Sequence, residues 1–487
     1  MHKTLFASLA FALAACASPA PSAPASAQAP ALAIEPYTFT ARDGTTVEAE
    51  RGTFEVPENR ADPSSRRIKL SFVRFPSTST APGAPIVYLA GGPGGSGEGT
   101  ATGPRFPLFM ALREVADVIA FDQRGTGKSN DIPFCADEAP QTGDLDVTRD
   151  ALVAYYREQL PRCFAWWESE GIDIDGYTTL ESAHDLEDLR RALGAEKIDL
   201  WGISYGSHLA LAALKHHPDS IGRAVLAGIE GLDQTVKRPA LTDALFAYAQ
   251  TLIDADPKAK AFYPDLAAMM RRAHERLNAE PARVTFTPQG AAAPVTLVYD
   301  AFALQLLAGG MIADPQGLAQ LPSFYLAADA GQDEVAANYI HGAFFSGPSG
   351  FRGMPEAMDL ASGISPARLK LVRKEAETSL LADALNFPMP QIAGLRPEID
   401  LGEDFRAPFK SSVPVLFISG TLDGRTYPEE AEDEIKGFAN AARLIVENGG
   451  HNIYEADPRV AEAVIAYFKG EPAPARIRFE PPVFATP

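Results

Sequence analysis

At the centre of the chain the sequence reads Ile198-Asp199-Leu200-Trp201-Gly202-Ile203-Ser204-Tyr205-Gly206, and a helical pattern continues to His216. The apolar residues before Gly202 predict a buried strand, and the residues after Ser204 predict a helix. A serine between two nearby glycines at such a junction indicates a sharp turn, because bulky flanking side chains would clash there. We therefore predict that Ser204 is a nucleophile exposed at the end of a strand.

Short apolar segments alternate with helical patterns on both sides of this turn. Continuous apolar strands separated by amphipathic helices predict a mostly parallel sheet covered by helices on both faces. The alternation of strands and helices ends near residue 231, where a mostly helical pattern begins, and it resumes near residue 414. The sequence thus predicts an α/β core in two parts, a large helical cap inserted before the last two strands, and a C-terminal tail. The predicted bounds are 36–231 and 411–475 for the core, 232–410 for the cap and 476–487 for the tail.

A serine hydroxyl is a weak nucleophile and requires a base that is itself oriented by an acid. In a fold of this type the acid and then the histidine follow the serine along the chain. His451 follows a late predicted strand in a glycine-rich loop, and Asp423 follows the strand before it. We predict these two residues as base and acid. The alternatives are His274 or His341 for the base, and Asp433 or Asp457 for the acid.

A second glycine-rich segment, Gly91-Gly92-Pro93-Gly94-Gly95-Ser96-Gly97, follows the first long apolar strand. Glycines allow backbone N–H groups to approach a substrate oxygen closely. The N–H groups of Gly92 and Tyr205 are therefore the predicted oxyanion hole. The segment also matches the dinucleotide-binding pattern G-x-G-x-x-G, but Pro93 is unusual there, and that interpretation leaves Ser204 unexplained.

The N-terminus has the features of an export signal. A short basic start and an apolar run precede Cys16, which predicts a lipoprotein signal peptide over 1–16 with a lipidated cysteine. The alternative is cleavage after Ala25-Ser26-Ala27, which would release a secreted protein. Residues 17–35 form an Ala/Pro/Ser linker. The expected location is the periplasm or the cell envelope.

Export also bears on the remaining cysteines. If Cys16 carries lipid, Cys135 and Cys163 are an even pair in an oxidising compartment, and we predict a disulfide between them. The alternative is two free buried thiols. Three cysteines are too few for a four-cysteine zinc site, and no metal or organic cofactor is predicted.

The charge balance excludes one class of partner. The chain has 487 residues, with 43 Lys and Arg against 63 Asp and Glu, and a formal net charge of −20. Such a surface repels phosphate backbones, so nucleic-acid binding is not expected. Contact with a membrane is expected only through the N-terminal lipid.

The motifs together resemble the α/β-hydrolase serine peptidases of the prolyl iminopeptidase and tripeptidyl aminopeptidase type. The matching segments lie in order along the chain and are Gly91–Gly97, Phe121–Ser129, Tyr177–Thr179, Gly202–Gly206, Gly420–Asp423 and Gly449–His451. The resemblance implies the α/β-hydrolase fold and an aminopeptidase that acts through an acyl-enzyme on peptide substrates. It also implies carboxylates that bind the substrate ammonium, and Glu230 is a candidate by its position after a core strand.

Two other functions remain open. The first is an esterase or lactonase acting on a small apolar ester, in which insertion phenylalanines such as Phe324, Phe344, Phe345 and Phe351 would line the pocket. The second is a non-catalytic binding lipoprotein, which the complete set of serine, acid and histidine disfavours.

Overall fold

The structure is a computed structural model that describes residues 29–136, 144–288, 291 and 293–487. The predicted signal peptide, the candidate lipid attachment site Cys16 and the first part of the linker lie outside these residues. Within the described ranges, no helix combines the length and the hydropathy that a membrane crossing requires.

The strands are short, and several are fully buried. Their bounds are β1 Ala33–Thr40, β2 Thr46–Pro57, β3 Arg67–Phe75, β4 Ile86–Leu89, β5 Val118–Asp122, β6 Cys135–Ala136, β7 Leu145–Asp146, β8 Ile198–Ile203, β9 Ile221–Ala227, β10 Ala282–Phe286, β11 Val295–Tyr299, β12 Gly350–Phe351, β13 Val415–Gly420, β14 Ala441–Glu447 and β15 Arg476–Arg478.

The helices fall between these strands and through most of the insertion. Their bounds are α1 Gly97–Ala101, α2 Phe106–Leu112, α3 Arg149–Ser169, α4 Thr179–Ala192, α5 Tyr205–His216, α6 Pro239–Ala255, α7 Pro257–Phe262, α8 Leu266–Ala279, α9 Ala301–Met311, α10 Pro315–Asp329, α11 Asp333–Phe344, α12 Met354–Ser362, α13 Pro366–Ala376, α14 Met389–Ile392, α15 Gly402–Arg406, α16 Pro428–Ile435 and α17 Pro458–Phe468.

The main sheet has the strand order β1-β2-β3-β5-β4-β8-β9-β13-β14-β15. The first three strands and the β3–β5 pair are antiparallel, and every pair from β5 to β15 is parallel. The predicted α/β fold is therefore confirmed. Because parallel strands end at a common edge, the loops after β4, β8, β13 and β14 meet there.

Burial on both faces explains why the parallel strands are continuously apolar. In β4, Ile86 and Tyr88 belong to the apolar core formed with α2 and α17. Val87 and Leu89 belong to the opposite core, formed with α4 and α5. Successive residues of a strand point to opposite faces, so a strand covered on both sides needs apolar residues at every position.

The insertion between β9 and β13 forms a mostly helical cap with an apolar core of its own, to which α6, α8, α9 and α10 contribute. It also contains the antiparallel pair β10–β11. The later helices of the insertion, from α12 to α15, instead place buried apolar residues in the core around α4 and α5. These helices therefore attach the insertion to the core.

The predicted linker, 17–35, ends too late, because β1 begins at Ala33 and pairs with β2 from that residue onward. The structure differs from the predicted boundaries in two further places. Residues 476–487 were expected to be a tail, but β15 adds to the edge of the main sheet beside β14. Strands β6 and β7, which were expected within the core, pair with β12 and β11 of the insertion. Both differences have one cause: strands of two or three residues carry no detectable apolar pattern and form because a partner strand offers hydrogen bonds.

A disulfide joins Cys135 to Cys163, with a Cα–Cα distance of 5.8 Å. It connects β6, which pairs with β12 of the insertion, to α3. In the chain-entropy model, a cross-link that closes a loop with a sequence separation of 28 stabilises the folded state by about 3–4 kcal/mol.

We expect the Cys135→Ser/Cys163→Ser variant to unfold at lower denaturant concentration than the wild type, with a free energy of unfolding reduced by about 3–4 kcal/mol. Equilibrium denaturation followed by tryptophan fluorescence measures the difference. A reductant should shift the wild type in the same direction and leave the double variant unchanged. An equal midpoint for both proteins without reductant would contradict the prediction.

Candidate active site

Ser204 lies in the turn between β8 and α5 with φ of 56° and ψ of −130°. A Cβ atom on Gly206 would lie 2.1 Å from the carbonyl oxygen of Leu89, and one on Gly202 would lie 2.6 Å from that of Gly206. Both positions therefore require glycine. A non-glycine residue at this positive φ carries strain of about 1–3 kcal/mol, which the surrounding core must hold.

Asp423 and His451 lie in the loops that follow the neighbouring strands β13 and β14. His451 Nδ1 is 2.9 Å from Asp423 Oδ2 and 3.1 Å from Oδ1. The Thr426 hydroxyl donates to Oδ2 at 2.6 Å, and the backbone N–H groups of Arg425 and Thr426 donate to Oδ1 at 2.8 and 2.9 Å.

The electrostatic surroundings keep Asp423 ionised. Burial would raise the pKa of Asp423, but attraction by His451 and the hydrogen bonds from Thr426 outweigh it and hold the pKa below its ordinary value. The fixed carboxylate can accept the proton of His451 Nδ1, which leaves Nε2 of the same ring free to act as an acceptor.

Ser204 and His451 line a common cavity of about 330 Å³, together with Gly91 and Gly92. A Cβ atom on Gly91 would lie 3.6 Å from Ser204 Oγ. A Cβ atom on Gly228, which follows β9, would lie 3.1 Å from His451 Cε1. The serine, the histidine and the acid predicted from the sequence are therefore brought together at one edge of the sheet.

The alternative residues lie elsewhere. His274 donates to or accepts from Tyr325 OH inside the cap core, and His341 packs against Phe286 and Phe345. Asp433 forms an exposed ion pair with Lys436 on α16. Asp457 caps the N-terminus of α17. Each of these side chains has a local structural role.

The predicted oxyanion residues flank the serine. Gly92 lines the cavity with φ of 128°, a backbone conformation that favours glycine. Tyr205 is the first residue of α5, so its backbone N–H lies at the open N-terminus of that helix. Free N–H groups at a helix N-terminus stabilise negative charge.

Residues at the end of β5 and directly after it hold the loop that carries Gly92. Asp122 accepts hydrogen bonds from the Ser96 hydroxyl at 2.6 Å and from the Glu98 N–H at 3.1 Å. Gln123 Nε2 donates to the carbonyl of Ala90 at 3.1 Å. The loop is thus held in place before a substrate binds, as preorganised oxyanion stabilisation requires.

Glu230 is buried and paired. Its Oε2 atom lies 2.6 Å from Lys237 Nζ, and its backbone N–H donates to the Ser207 hydroxyl at 2.9 Å. Glu230 and Lys237 are only 8% and 5% exposed. The residue lies next to the site, but its charge is already compensated.

Two acids that the sequence analysis missed lie on α12. A Cβ atom on Gly94 of the oxyanion loop would lie 2.8 Å from Pro355 Cγ, and Met358 Sδ accepts a hydrogen bond from Tyr205 OH at 2.9 Å. Helix α12 therefore contacts the oxyanion loop and the buried side chain of Tyr205. Its carboxylates, Glu356 and Asp359, are only half-buried.

The pKa values of these acids are displaced upward. Burial, followed by the charges of Glu230 and Glu356, raises the pKa of Asp359 to about 8. Burial also raises the pKa of Glu356, against the effect of backbone hydrogen bonds such as the one from Gly353 N–H at 2.8 Å. Raised carboxyl pKa values occur at functional sites, where a ligand can supply the counter-charge, and they make these two acids candidates for binding a cation.

No group of three or more His, Cys, Asp or Glu side chains in the part of the chain that the structure describes is arranged to hold a metal ion. The site has the groups for nucleophilic chemistry at a carbonyl carbon and a set of carboxylates that could bind a cation.

Comparison with curated proteins gives relatives that are peptidases. The chain is 31% identical to the tripeptidyl aminopeptidase of Streptomyces coelicolor over 197 residues, which are 37% of this chain and 34% of that protein. It is 28% identical to the serine protease Hip1 of Mycobacterium tuberculosis over 185 residues, 36% of this chain and 35% of that protein. Each match covers about a third of the relative's length.

Among solved structures, an epoxide hydrolase from an endophytic Streptomyces aligns with a TM-score of 0.39 and 16% identity, covering 88% of this chain and 99% of that one. A thermophilic esterase from Thermogutta terrifontis aligns with a TM-score of 0.35 and 18% identity, covering 85% and 98%.

The family description of the alpha/beta hydrolase fold matches residues 84–458, which include most of both parts of the core and the whole insertion. The resemblance inferred from the motifs is thereby confirmed at the level of the family. The chain belongs to the α/β-hydrolase family.

Proposed function

We propose that the protein is an exported serine aminopeptidase that releases residues or short peptides from the N-termini of peptides. The observation that carries the proposal is the position of α12, which holds two half-buried carboxyl groups and contacts Gly94 of the oxyanion loop and the side chain of Tyr205. Acids on a helix that contacts the oxyanion loop suit a substrate that presents an ammonium group close to its scissile bond.

The reaction follows from the geometry. Ser204 Oγ attacks the scissile carbonyl carbon while His451 Nε2 takes the hydroxyl proton, and Asp423 stabilises the resulting imidazolium. The N–H groups of Gly92 and Tyr205 bind the oxyanion of the tetrahedral intermediate. The C–N bond then breaks, and His451 gives its proton to the leaving amine.

The second half of the reaction uses the same groups. The acyl group is held as an ester on Ser204, and His451 takes a proton from a water molecule as that water attacks the ester carbonyl. Collapse of the second intermediate returns the proton to Ser204 Oγ and releases the N-terminal fragment as a carboxylic acid. The balance requires only water, so no metal or organic cofactor takes part.

Asp359 is the leading candidate for binding the substrate ammonium. Glu230 is already paired with Lys237, and Glu356 accepts the Gly353 N–H. Among the residues that the structure describes, none forms a hydrogen bond or an ion pair with the Asp359 carboxyl. A bound ammonium would oppose the effect of burial and of the charges of Glu230 and Glu356, which raise the pKa of this group, and would thereby favour its ionised form.

An esterase or lactonase acting on a small apolar ester is the alternative. The insertion phenylalanines that would have lined its pocket include Phe324, which packs on Tyr325 and Tyr339 within the cap, and Phe351, which packs on Tyr155 and Tyr156. An ester needs no carboxylates beside the serine. The two functions are separated by the rates on aminoacyl arylamides, the same arylamides with an acetylated amine, and p-nitrophenyl acetate.

We expect Asp359→Asn to lower kcat/KM for a free-amine arylamide by about 10- to 100-fold, because a charged hydrogen bond contributes roughly 1.5–3 kcal/mol. Hydrolysis of p-nitrophenyl acetate, which has no ammonium, should stay near the wild-type rate. Steady-state kinetics on both substrates measure the selectivity, and Glu334→Gln on the exposed face of α11 is the matched control. Equal losses on both substrates would contradict the assignment.

Stability provides an independent check that the variant is folded. Because the folded-state pKa of Asp359 is about 8, the folded protein retains a proton that the unfolded chain releases near pH 4. The free energy of unfolding therefore decreases as the pH rises from about 4 to 8. Asp359→Asn removes this decrease, so at pH 8 it should unfold at an equal or higher denaturant concentration than the wild type.

Export remains part of the proposal. The apolar run before Cys16 supports a lipoprotein located in the periplasm or the cell envelope, and the Cys135–Cys163 bond suits an oxidising compartment. Metabolic labelling with a fatty acid analogue tests it: wild type should be labelled and Cys16→Ser should not.

A further inference from the structure

The cavity that contains Ser204 and His451 has no residue of the insertion among its described lining residues. Its far wall is formed by Arg105, Asn452 and Glu455. Arg105 lies against Tyr88 and Tyr454 of the apolar core on one face of the sheet, whereas α12 packs into the core on the other face. Helix α12 and the far wall therefore lie toward opposite faces of the sheet that carries Ser204.

The far wall is rigid and electrically balanced. Arg105 is 5% exposed, and its Nη2 atom lies 2.8 Å from Glu455 Oε1. Its Nη1 donates to Tyr88 OH, and the guanidinium lies 5.5 Å from the ring of Tyr454. The Glu455 side chain is 27% exposed, so its carboxylate is held by Arg105 while keeping an open edge.

The space continues into a second cleft. Asn452 and Glu455 line both the cavity and a neighbouring cleft of about 570 Å³. Asn452 is held between them by Asp314, which accepts from its backbone N–H at 2.9 Å and from its Nδ2 at 2.7 Å. Each space is within the size range of pockets that hold drug-sized ligands, about 300–1,000 Å³.

The charged side chains that line the cleft are all acidic, with Glu455 paired to Arg105 and Glu480 within electrostatic reach of Arg478 from outside the lining. Asp314, Glu455 and Glu480 line it together with Gln316 and Gln320, and no Lys or Arg is found among its described lining residues. Glu480 is exposed at the rim. Clefts lined by one sign of charge attract groups of the opposite sign.

We propose that the cavity and the cleft together bind the leaving side of a peptide substrate over at least two residues, and that the cleft favours a lysine or arginine side chain there. The proposal rests on the proposed function. If the substrate ammonium binds to α12, the leaving nitrogen points away from α12, toward the space that His451 shares and where that nitrogen must be protonated. The first leaving residue then lies between Ser204 and Glu455, and the next enters the cleft.

The test uses three peptides of the form Ala-Ala-Ala-Ala-Xaa, in which Xaa is lysine, glutamine or glutamate. Cleavage after the third alanine makes the fourth alanine the first leaving residue and Xaa the second. Release of the N-terminal fragment is followed by liquid chromatography, and an alanyl arylamide is run in parallel. We expect kcat/KM to decrease in the order lysine, glutamine, glutamate, by about two- to fivefold per step at low salt, and the order to weaken at 1 M salt.

Glu480→Gln should lower the ratio of the lysine to the glutamate peptide by about two- to fivefold without changing the arylamide rate. Glu471→Gln is the matched control. That residue follows α17 near the end of the sheet at which the parallel strands begin, where its neighbour Gly470 lies close to Arg223 of β9. Equal rates on the three peptides, or a ratio that Glu480→Gln leaves unchanged, would overturn this proposal. An inactive arylamide with an active ester would instead overturn the aminopeptidase function.

Discussion

Replacing Ser204 with alanine is expected to reduce kcat by about 10⁶-fold on arylamide and ester substrates alike, because the attacking atom is removed and both chemistries depend on it. The fold should remain, since alanine carries the same cost as serine at a φ of 56° and Ser204 Oγ makes no hydrogen bond on which the described core depends. Turnover of both substrates, together with labelling by a fluorophosphonate probe, measures the effect.

The control separates the loss of the nucleophile from a general effect of removing a hydroxyl. Ser169→Ala, at the exposed end of α3, should keep full activity and full labelling. Adding His451→Ala to Ser204→Ala should cause little further loss, because groups that act as a unit are not additive. A Ser204→Ala variant that retains a few per cent of the wild-type rate would show that the reaction proceeds by another route.

The core of the site was predictable because it depends on local patterns and one topological rule. Ser204, Asp423 and His451 each follow an apolar strand, and parallel strands place their carboxyl ends at a common edge. The 218 residues between Ser204 and Asp423 therefore matter little for the distance between the two side chains, since the sheet fixes that distance.

The acids of α12 could not be predicted in this way. Glu356 and Asp359 are three residues apart on a helix whose other side is apolar, a pattern that equally describes a solvated helix face. Their function depends on Pro355 meeting Gly94 and on Met358 meeting Tyr205, contacts across more than 150 positions. The only sequence signal was two acids in an otherwise apolar segment, and it becomes informative only once the helix is known to rest on the core.

The positions of the insertion phenylalanines could not be predicted for the same reason: they depend on packing between distant parts of the chain. Phe324 and Phe351 were candidates for an apolar pocket, but both are buried against neighbouring aromatic rings. A sequence shows that a side chain is apolar, but it does not show which apolar surface that side chain contacts. Pocket residues and core residues of a cap are therefore indistinguishable until the packing is known.

Asp423→Asn is expected to reduce kcat by about 10⁴-fold while leaving substrate binding nearly unchanged. The backbone N–H groups of Arg425 and Thr426 both donate to Asp423 Oδ1, so the asparagine oxygen should take that position. The amide nitrogen then replaces Oδ2, 2.9 Å from His451 Nδ1. Because an amide nitrogen donates, Nδ1 must become the acceptor and the ring proton moves to Nε2, where it prevents removal of the serine proton.

The matched control is Asp433→Asn, which changes the same group on the exposed face of α16 and should leave kcat unaltered. Steady-state kinetics give kcat and KM separately, and the proton resonances of the His451 ring report directly which nitrogen carries the proton. A normal rate in Asp423→Asn, or a large loss in Asp433→Asn, would mean that a different acid orients the histidine. Because Asp423 is held ionised by His451 and Thr426, the defect should persist across the neutral pH range and not be restored by a change of one or two pH units.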